Sequence, residues 1–188
     1  MKIILASASP RRRELLDVTH LKYEVIPAVG EEKPYPELLP SQLAARRSRD
    51  KAAEVAAGRE GDIVIAADTL VALDSVMYGK PKDADDARRI LLELAGRTHR
   101  VYTGITVAHG GDFDTQVEQT NVWMRELTER ELDEYIASGE PMDKAGAYAI
   151  QGLASVFITR VDGDYCNVVG LPVSRLSIML KKLGVELI

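Results

Sequence analysis

The sequence predicts a mixed α/β fold, and three observations carry that expectation. Short apolar strand-like runs alternate with helix-patterned stretches along the whole chain. One of the runs, DIVIAA at 62–67, has no polar face, which suits a central strand covered on both sides. The 188 residues are 46% apolar, enough for one compact α/β unit, or two small lobes over a shared core, without staples. With two Phe and one Trp, packing falls to Leu, Ile, Val and Ala.

Lys2 to Ala6 reads as a strand. Ser9 and Pro10 read as the N-cap and first residue of a helix that buries Leu15 and Leu16. Leu21 to Pro27 reads as a second strand, and the Pro- and Glu-rich stretch from Gly30 to Pro40 as loop. A helix is expected over 41–57, closed by Gly58. The strand at 62–67 is expected to end at Asp68 and Thr69. Asp83 caps the next helix, with Ala87, Ile90, Leu91 and Leu94 in register and Gly96 ending it. Two longer strands follow, at about 99–108 and 114–124, joined through HGGD. Thr128 and Glu131 form a capping box for a helix to about Ser138. A short strand is expected at 148–150, then two strands at 155–161 and 165–169 around an Asp-Gly turn. A last helix runs from about Pro172 to Lys182. Together these give a mixed sheet with helices on both faces. No internal repeat or low-complexity linker interrupts the pattern.

Composition narrows the partners. Cys166 is the single cysteine and is expected to serve packing. A disulfide framework and a cysteine-rich metal site are therefore excluded, and a cytoplasmic setting is expected. The MKIILASASPRRR start has an apolar run of about four residues followed by three arginines, the wrong order for export. No apolar stretch approaches the roughly 20 residues of a membrane span. A net charge of −5 argues against nucleic acid as a partner and leaves room for a small anionic ligand held by a local field.

Several stretches have the chemistry for such a ligand. In SASPRRR, residues 7–13, a strand leads through hydroxyls into a helix with three arginines in its first turn. Cations oppose the macrodipole there, at a cost of about 0.3–1 kcal/mol each. Together with the serine hydroxyls and free backbone N–H groups they suit a phosphate; the bland alternative is a solvated basic patch. Asp68, after the apolar strand, can orient a water, accept its proton, hold a divalent cation, or merely cap a turn. A haloacid-dehalogenase phosphatase would carry a second Asp two residues on, and Leu70 stands there. Lys80 in GKP can reach a phosphate or be a turn lysine; the segment is not a P-loop, since Pro81 follows.

Lys51 aligns by helical spacing with Ala44, Ser48 and Val55 on an inner stripe, where it either snorkels or meets a buried anion. Glu31 and Glu32 lie in loop. In DKAGAYAIQG, residues 143–152, small residues permit close backbone approach, and Gln151 can donate and accept against a base edge or simply pack. His20, His99 and His109 show no ligand spacing.

Taken in order, SASPRR, EE, DKA, ADT, GKP, DKAGAYAIQG and VVGLP resemble the Maf family over residues 3 to about 180. The resemblance implies a two-lobed fold, related to the inosine triphosphate pyrophosphatases, around a central mixed β-sheet with an active-site cleft between lobes. All of 1–188 is then one nucleotide pyrophosphatase domain. It implies hydrolysis of a nucleoside triphosphate between the α- and β-phosphates, a divalent metal cation, Mg²⁺ or Mn²⁺, and a homodimer. By position, Asp68 matches the family's proton acceptor, and Ser7, Arg12, Glu32, Lys51 and Lys80 match its polar site residues, with Glu32 or Asp68 on the metal. Arg11, Thr69 and Gln151 match positions that choose substrate. They follow the dTTP/UTP branch, whereas the branch acting on 7-methyl-GTP carries an aromatic, Gln and Glu there. Two other readings compete. One is a nucleotide-binding regulator of cell division without turnover; the other is an RNA-binding module built on Arg11 to Arg13, which lacks a basic stripe and aromatic platforms.

Overall fold

The computed structural model describes residues 1–188 and divides into two compact units. The first comprises Met1–Asp68, Thr103–Glu118 and Gly170–Ile188; the second comprises Thr69–Tyr102 and Gln119–Val169. Seven strands form one mixed sheet, flanked by helices, in the order β2-β1-β3-β5-β6-β7, with β4 paired to β3. No helix is long and apolar enough to cross a membrane.

In the first unit, β1 (Ile3–Leu5) pairs in parallel with β2 (Glu24–Val25) and with β3 (Ile63–Leu73). The expected second strand shrinks to two residues. Helix α1 (Pro10–Asp17) follows β1 and buries Leu15 and Leu16. Helix α2 (Pro40–Ala56) turns Leu43, Ala44, Ser48, Ala52 and Val55 inward. Ile4, Ala6, Ala52, Val55, Val64, Ala66 and Ala108 share one core cluster, so α2 packs on the face of β3 that carries Val64 and Ala66. Strand β5 (Thr98–His109) passes directly beneath the same helix. A Cβ at Gly104 would lie 2.1 Å from the Ala44 carbonyl oxygen, so only glycine permits this approach. The hydroxyl of Ser48 meets that of Thr106 at 2.9 Å, which satisfies two buried polar groups at the contact. Gly110 and Gly111, both at positive φ, make the two-residue turn from β5 into β6 (Asp112–Met124). Helix α6 (Val173–Lys181) completes the unit and buries Leu176, Met179 and Leu180.

In the second unit, β4 (Val76–Tyr78) folds back antiparallel on the end of β3. The side chain of Asp83 accepts from the Asp86 N–H at 2.8 Å and starts α3 (Ala84–Leu94), which buries Ala87, Ile90, Leu91 and Leu94. The Thr128–Glu131 box starts α4 (Glu129–Ala137), with the Thr128 N–H donating to Glu131 Oε2 at 2.9 Å. Strand β7 (Ile158–Asp162) pairs antiparallel with β6.

Three expectations are corrected. Strand β3 does not end at Asp68 and Thr69 but runs on to Leu73, buried nearly throughout, because Asp68 finds an ionic partner inside and the apolar residues after it continue the sheet. Residues 148–150 form no strand. Gly146 and Ala147, at φ 73° and 58°, curl the chain into short 3₁₀ turns just before them. The segment at 165–169 is a helical turn, α5 (Tyr165–Val169), and not the second arm of a hairpin. Asp164 accepts from the Cys166 N–H at 2.7 Å, and the Asn167 amide donates to Val101 O at 3.0 Å and Thr120 Oγ1 at 2.8 Å, so local capping and long-range bonds override the turn signal.

Candidate active site

The first unit gathers five of the residues singled out in the sequence. Because side chains alternate along a strand, Asp68 shares the face of Val64 and Ala66 that is covered by α2. Helical spacing brings Lys51 over it. The Lys51 ammonium donates to Asp68 Oδ1 in a short contact and to Glu32 Oε1 at 2.9 Å. Of the two possibilities for this lysine, the structure realises the buried anion.

Glu32 is held in place by its loop. The Val29 and Gly30 N–H groups donate to Glu54, and Tyr35 donates to Asp50 at 2.6 Å, so α2 grips the loop on both sides of Glu32. Arg46 adds to the grip through Asp50 and by lying over the Tyr35 ring. Glu31 is exposed, and it is Glu32 that turns to the cations.

Arg12 is the inner arginine of the three. Its Nε donates to Gly170 O at 2.7 Å, and Nη1 donates to Ala67 O at 2.9 Å and to Ser7 Oγ at 3.1 Å. Ser7 is itself buried and accepts from the Ser9 N–H at 3.2 Å. The helix start is therefore organised around Ser7 and Arg12, while the Ser9 side chain makes no cap. Burial pulls the Arg12 pKa down, with Asp68 and Glu32 opposing and Arg11 adding to the fall.

Asp68 is 5% exposed, and its Oδ2 is buried with no hydrogen-bond partner. Burial pushes its pKa above the usual carboxylate value, against the pull of Lys51 and Arg12, and Glu32 pushes it further. A carboxylate disfavoured in its charged form is a stronger base, which is what proton removal near neutral pH requires.

The sequence reading missed Arg47. It bonds Glu32 Oε2 at 2.9 Å, and its own Nε is buried without a partner. The signal was available, since Arg47 lies four residues before Lys51 on the same helical stripe. His20, His99 and His109 take no part in this cluster.

A divalent cation fits the donor set in a limited way. No group of three or more His, Cys, Asp or Glu side chains converges anywhere to hold an ion alone. Glu32 and Asp68 nevertheless offer hard oxygens linked through one ammonium, with Asp68 Oδ2 still lacking a partner. One or two carboxylates completed by phosphates and water is the usual Mg²⁺ arrangement in nucleotide enzymes.

Arg11 lies in the first turn of α1, half-buried. Thr69, Lys80 and Gln151 belong to the second unit. Thr69 follows Asp68 in β3 and is half-buried, while Lys80 and Gln151 are exposed on loops. Within that unit the GKP loop and the 143–152 stretch meet, because the Gly146 N–H donates to Gly79 O at 3.0 Å. A Cβ on Gly146 would come within 2.8 Å of Val71, so the approach needs glycine there.

Known proteins resemble the chain over most of its length. A dTTP/UTP pyrophosphatase of Syntrophomonas wolfei is 46% identical over 186 residues, covering 98% of each chain. One of Carboxydothermus hydrogenoformans is 47% identical over 186 residues, covering 98% of this chain and all of its own. Among solved structures, a HAM1 protein from Coxiella burnetii has a TM-score of 0.53 at 14% identity, covering 97% of this chain and 99% of its own. The Ham1 protein of Staphylococcus aureus has a TM-score of 0.52 at 14% identity, covering 97% and 100%. These two speak for the fold alone. The family model described as Maf-like protein matches residues 2–183, and the chain belongs to that family.

Proposed function

We propose that the chain is a nucleoside triphosphate pyrophosphatase that converts dTTP and UTP to the nucleoside monophosphate and pyrophosphate. The names and identities of its relatives support the reaction and the substrates. The observation that carries the mechanism is Asp68, a buried carboxylate of raised pKa set against a lysine, with one oxygen unpartnered.

In the proposed reaction, water adds to the α-phosphorus, the bond from that phosphorus to the α,β-bridging oxygen breaks, and pyrophosphate leaves. Asp68 takes the proton from the attacking water. Arg12, Lys51 and Lys80 offset the charge of the triphosphate and the charge that grows on the bridging oxygen, with Ser7 orienting Arg12. As substrate phosphate draws Lys51 toward itself, Asp68 loses its opposing charge and becomes more basic. The Lys51–Asp68 pair is thus the resting form of the base. Glu32 or Asp68, with the substrate phosphates, would hold Mg²⁺ or Mn²⁺, which would supply further charge neutralisation and lower the pKa of a bound water.

Arg11, Thr69 and Gln151 select the base. Gln151 is neutral and can match the O4 acceptor and N3–H donor of a uracil-type ring. The 188 residues act as one catalytic domain, in the cytoplasm and as a homodimer, without nucleic acid; these assignments rest on the family resemblance and the composition.

The test is incubation with dTTP, UTP and 7-methyl-GTP in Mg²⁺ or Mn²⁺, with the phosphate products identified. Monophosphate and pyrophosphate from dTTP and UTP, in preference to 7-methyl-GTP, are expected. Orthophosphate with a diphosphate, or binding without turnover as a regulator would show, overturns the proposal.

A further inference from the structure

His99 is the second residue of β5, 1% exposed, at a position where the strand's alternation calls for an apolar side chain. Its Nε2 lies 2.7 Å from the Tyr148 hydroxyl, and the two rings meet edge to face at 5.2 Å. Its Nδ1 is buried without a partner. Burial alone holds the imidazole pKa down to about 4, so the ring is neutral at physiological pH. Tyr148 is also buried, and burial pushes its pKa up. A neutral polar pair sealed in this way contributes direction more than cohesion, since an apolar pair of the same shape would leave no group orphaned.

What is directed is the stretch that carries Gln151. Gly146 and Ala147 both sit in the left-handed region, a conformation that an alanine holds only where its surroundings fix it. Five further bonds fix it. The Gly146 N–H donates to Gly79 O at 3.0 Å. The Ala149 N–H donates to the Tyr135 hydroxyl at 3.3 Å, and that hydroxyl donates in turn to Glu140 at 3.0 Å. Glu140 also accepts from the N–H groups of Leu153 at 2.9 Å and Ala154 at 3.3 Å, with Gly152 leaving room for the carboxylate. The chain is thus anchored at 146, 148, 149, 153 and 154, and Gln151 stands exposed between the anchors.

We propose that His99, Tyr148, Tyr135 and Glu140 are positioning residues that set where Gln151 presents its amide, and so govern choice of the substrate base. The inference rests on the proposed role of Gln151 in reading that base.

The test measures kcat and KM for dTTP and for dGTP, whose larger ring makes the stricter demand, together with Tm. Tyr148→Phe removes one hydroxyl and keeps the ring. It is expected to raise the KM for dTTP, leave kcat nearly unchanged, and cut the dTTP-over-dGTP ratio of kcat/KM by about five-fold, the worth of one hydrogen bond. His99→Phe should do the same, and His99→Gln, whose amide can still meet Tyr148, should restore the ratio. Gln151→Ala should collapse the ratio by itself, and adding Tyr148→Phe to it should change nothing more. If Gln151→Ala leaves the ratio intact, base reading by Gln151 is wrong and the positioning role falls with it. If Gln151→Ala collapses the ratio but Tyr148→Phe only lowers Tm, or the two losses add in full, the positioning role alone is overturned.

Discussion

The cluster around Lys51 and the one around Tyr148 hold polar groups inside the same chain by opposite means. In the first unit, Asp68, Glu32, Lys51 and Arg47 are linked by ion pairs and Arg12 feels the charge of Asp68 and Glu32, while Glu32 and Lys51 keep part of their side chains in water. In the second, His99 bonds Tyr148 and the Tyr135 hydroxyl accepts from the Ala149 N–H, neutral hydrogen bonds beneath the surface, with Glu140 the one carboxylate at the edge. Charges in partial contact with solvent can exchange partners when an anion arrives. Neutral groups without water have nothing to exchange with and hold one shape. The first arrangement suits chemistry and the second suits recognition.

Asp68→Asn breaks the contrast most sharply. Loss of a general base typically costs about 10²–10⁴-fold, and kcat should fall within that range. Stability should move the other way. Because the Asp68 pKa is raised in the fold, the native state binds more protons than the unfolded chain between the ordinary carboxylate value and the raised one. Stability is therefore lost as pH rises through that window, and the neutral amide should give a higher Tm at neutral pH. A lower Tm with kcat intact would make Asp68 structural.

Lys51→Ala should reduce kcat/KM by about 10²-fold, the scale of one lost electrostatic donor. Lys51 opposes the rise in the Asp68 pKa, so the acid limb of the kcat/KM profile should also move to higher pH. A fall in Tm with the limb unmoved would return the lysine to a packing role.

The neutral cluster should show its own pH signature. His99 has its pKa held down to about 4, against 6.5 unperturbed, so its contribution is full above 6.5 and is lost as pH falls toward 4. The loss amounts to roughly 3 kcal/mol, and His99→Gln should flatten that part of the curve in denaturant titrations from pH 7 to 4. An unchanged slope would mean that His99 titrates normally.

The smallest effect serves as a control. Thr128→Ala removes one cap hydrogen bond of α4 and should cost about 1 kcal/mol, leaving kcat and the dTTP-over-dGTP ratio as they were. A change in that ratio would show that the recognition cluster reaches further through the second unit than its bonds indicate.

Much of the fold was legible because its signals are local. Asp83, the Thr128–Glu131 pair, Gly58 and the double glycine at 110–111 each mark a boundary by the chemistry of one or two residues. The errors lie where a distant partner decides. Asp68 looked like a strand end because a lone acid inside a strand is costly, and Lys51, seventeen residues earlier, offsets part of that cost. Residues 165–169 read as a strand, with two valines closing the segment, until Thr120 and Val101 bound Asn167. Lys51 itself could be placed on its inner stripe but not assigned, since its anion is identified only when β3 is laid beneath α2. His99 was set aside for lacking ligand spacing, yet its partner is a tyrosine hydroxyl, which no metal-ligand spacing rule would find.

The contact at Gly104 reaches beyond packing. With the Ala44 carbonyl 2.1 Å from where a methyl would stand, even alanine there forces the backbone of α2 away from the strand. That helix carries the Lys51 ammonium to Asp68 from two turns further along. A single added carbon, touching neither phosphate nor base, would swing the ammonium off its carboxylate. In a saturation scan scored by turnover, position 104 should stand beside Asp68 among the least tolerant sites, and a drift in either residue would be read by selection as the same defect.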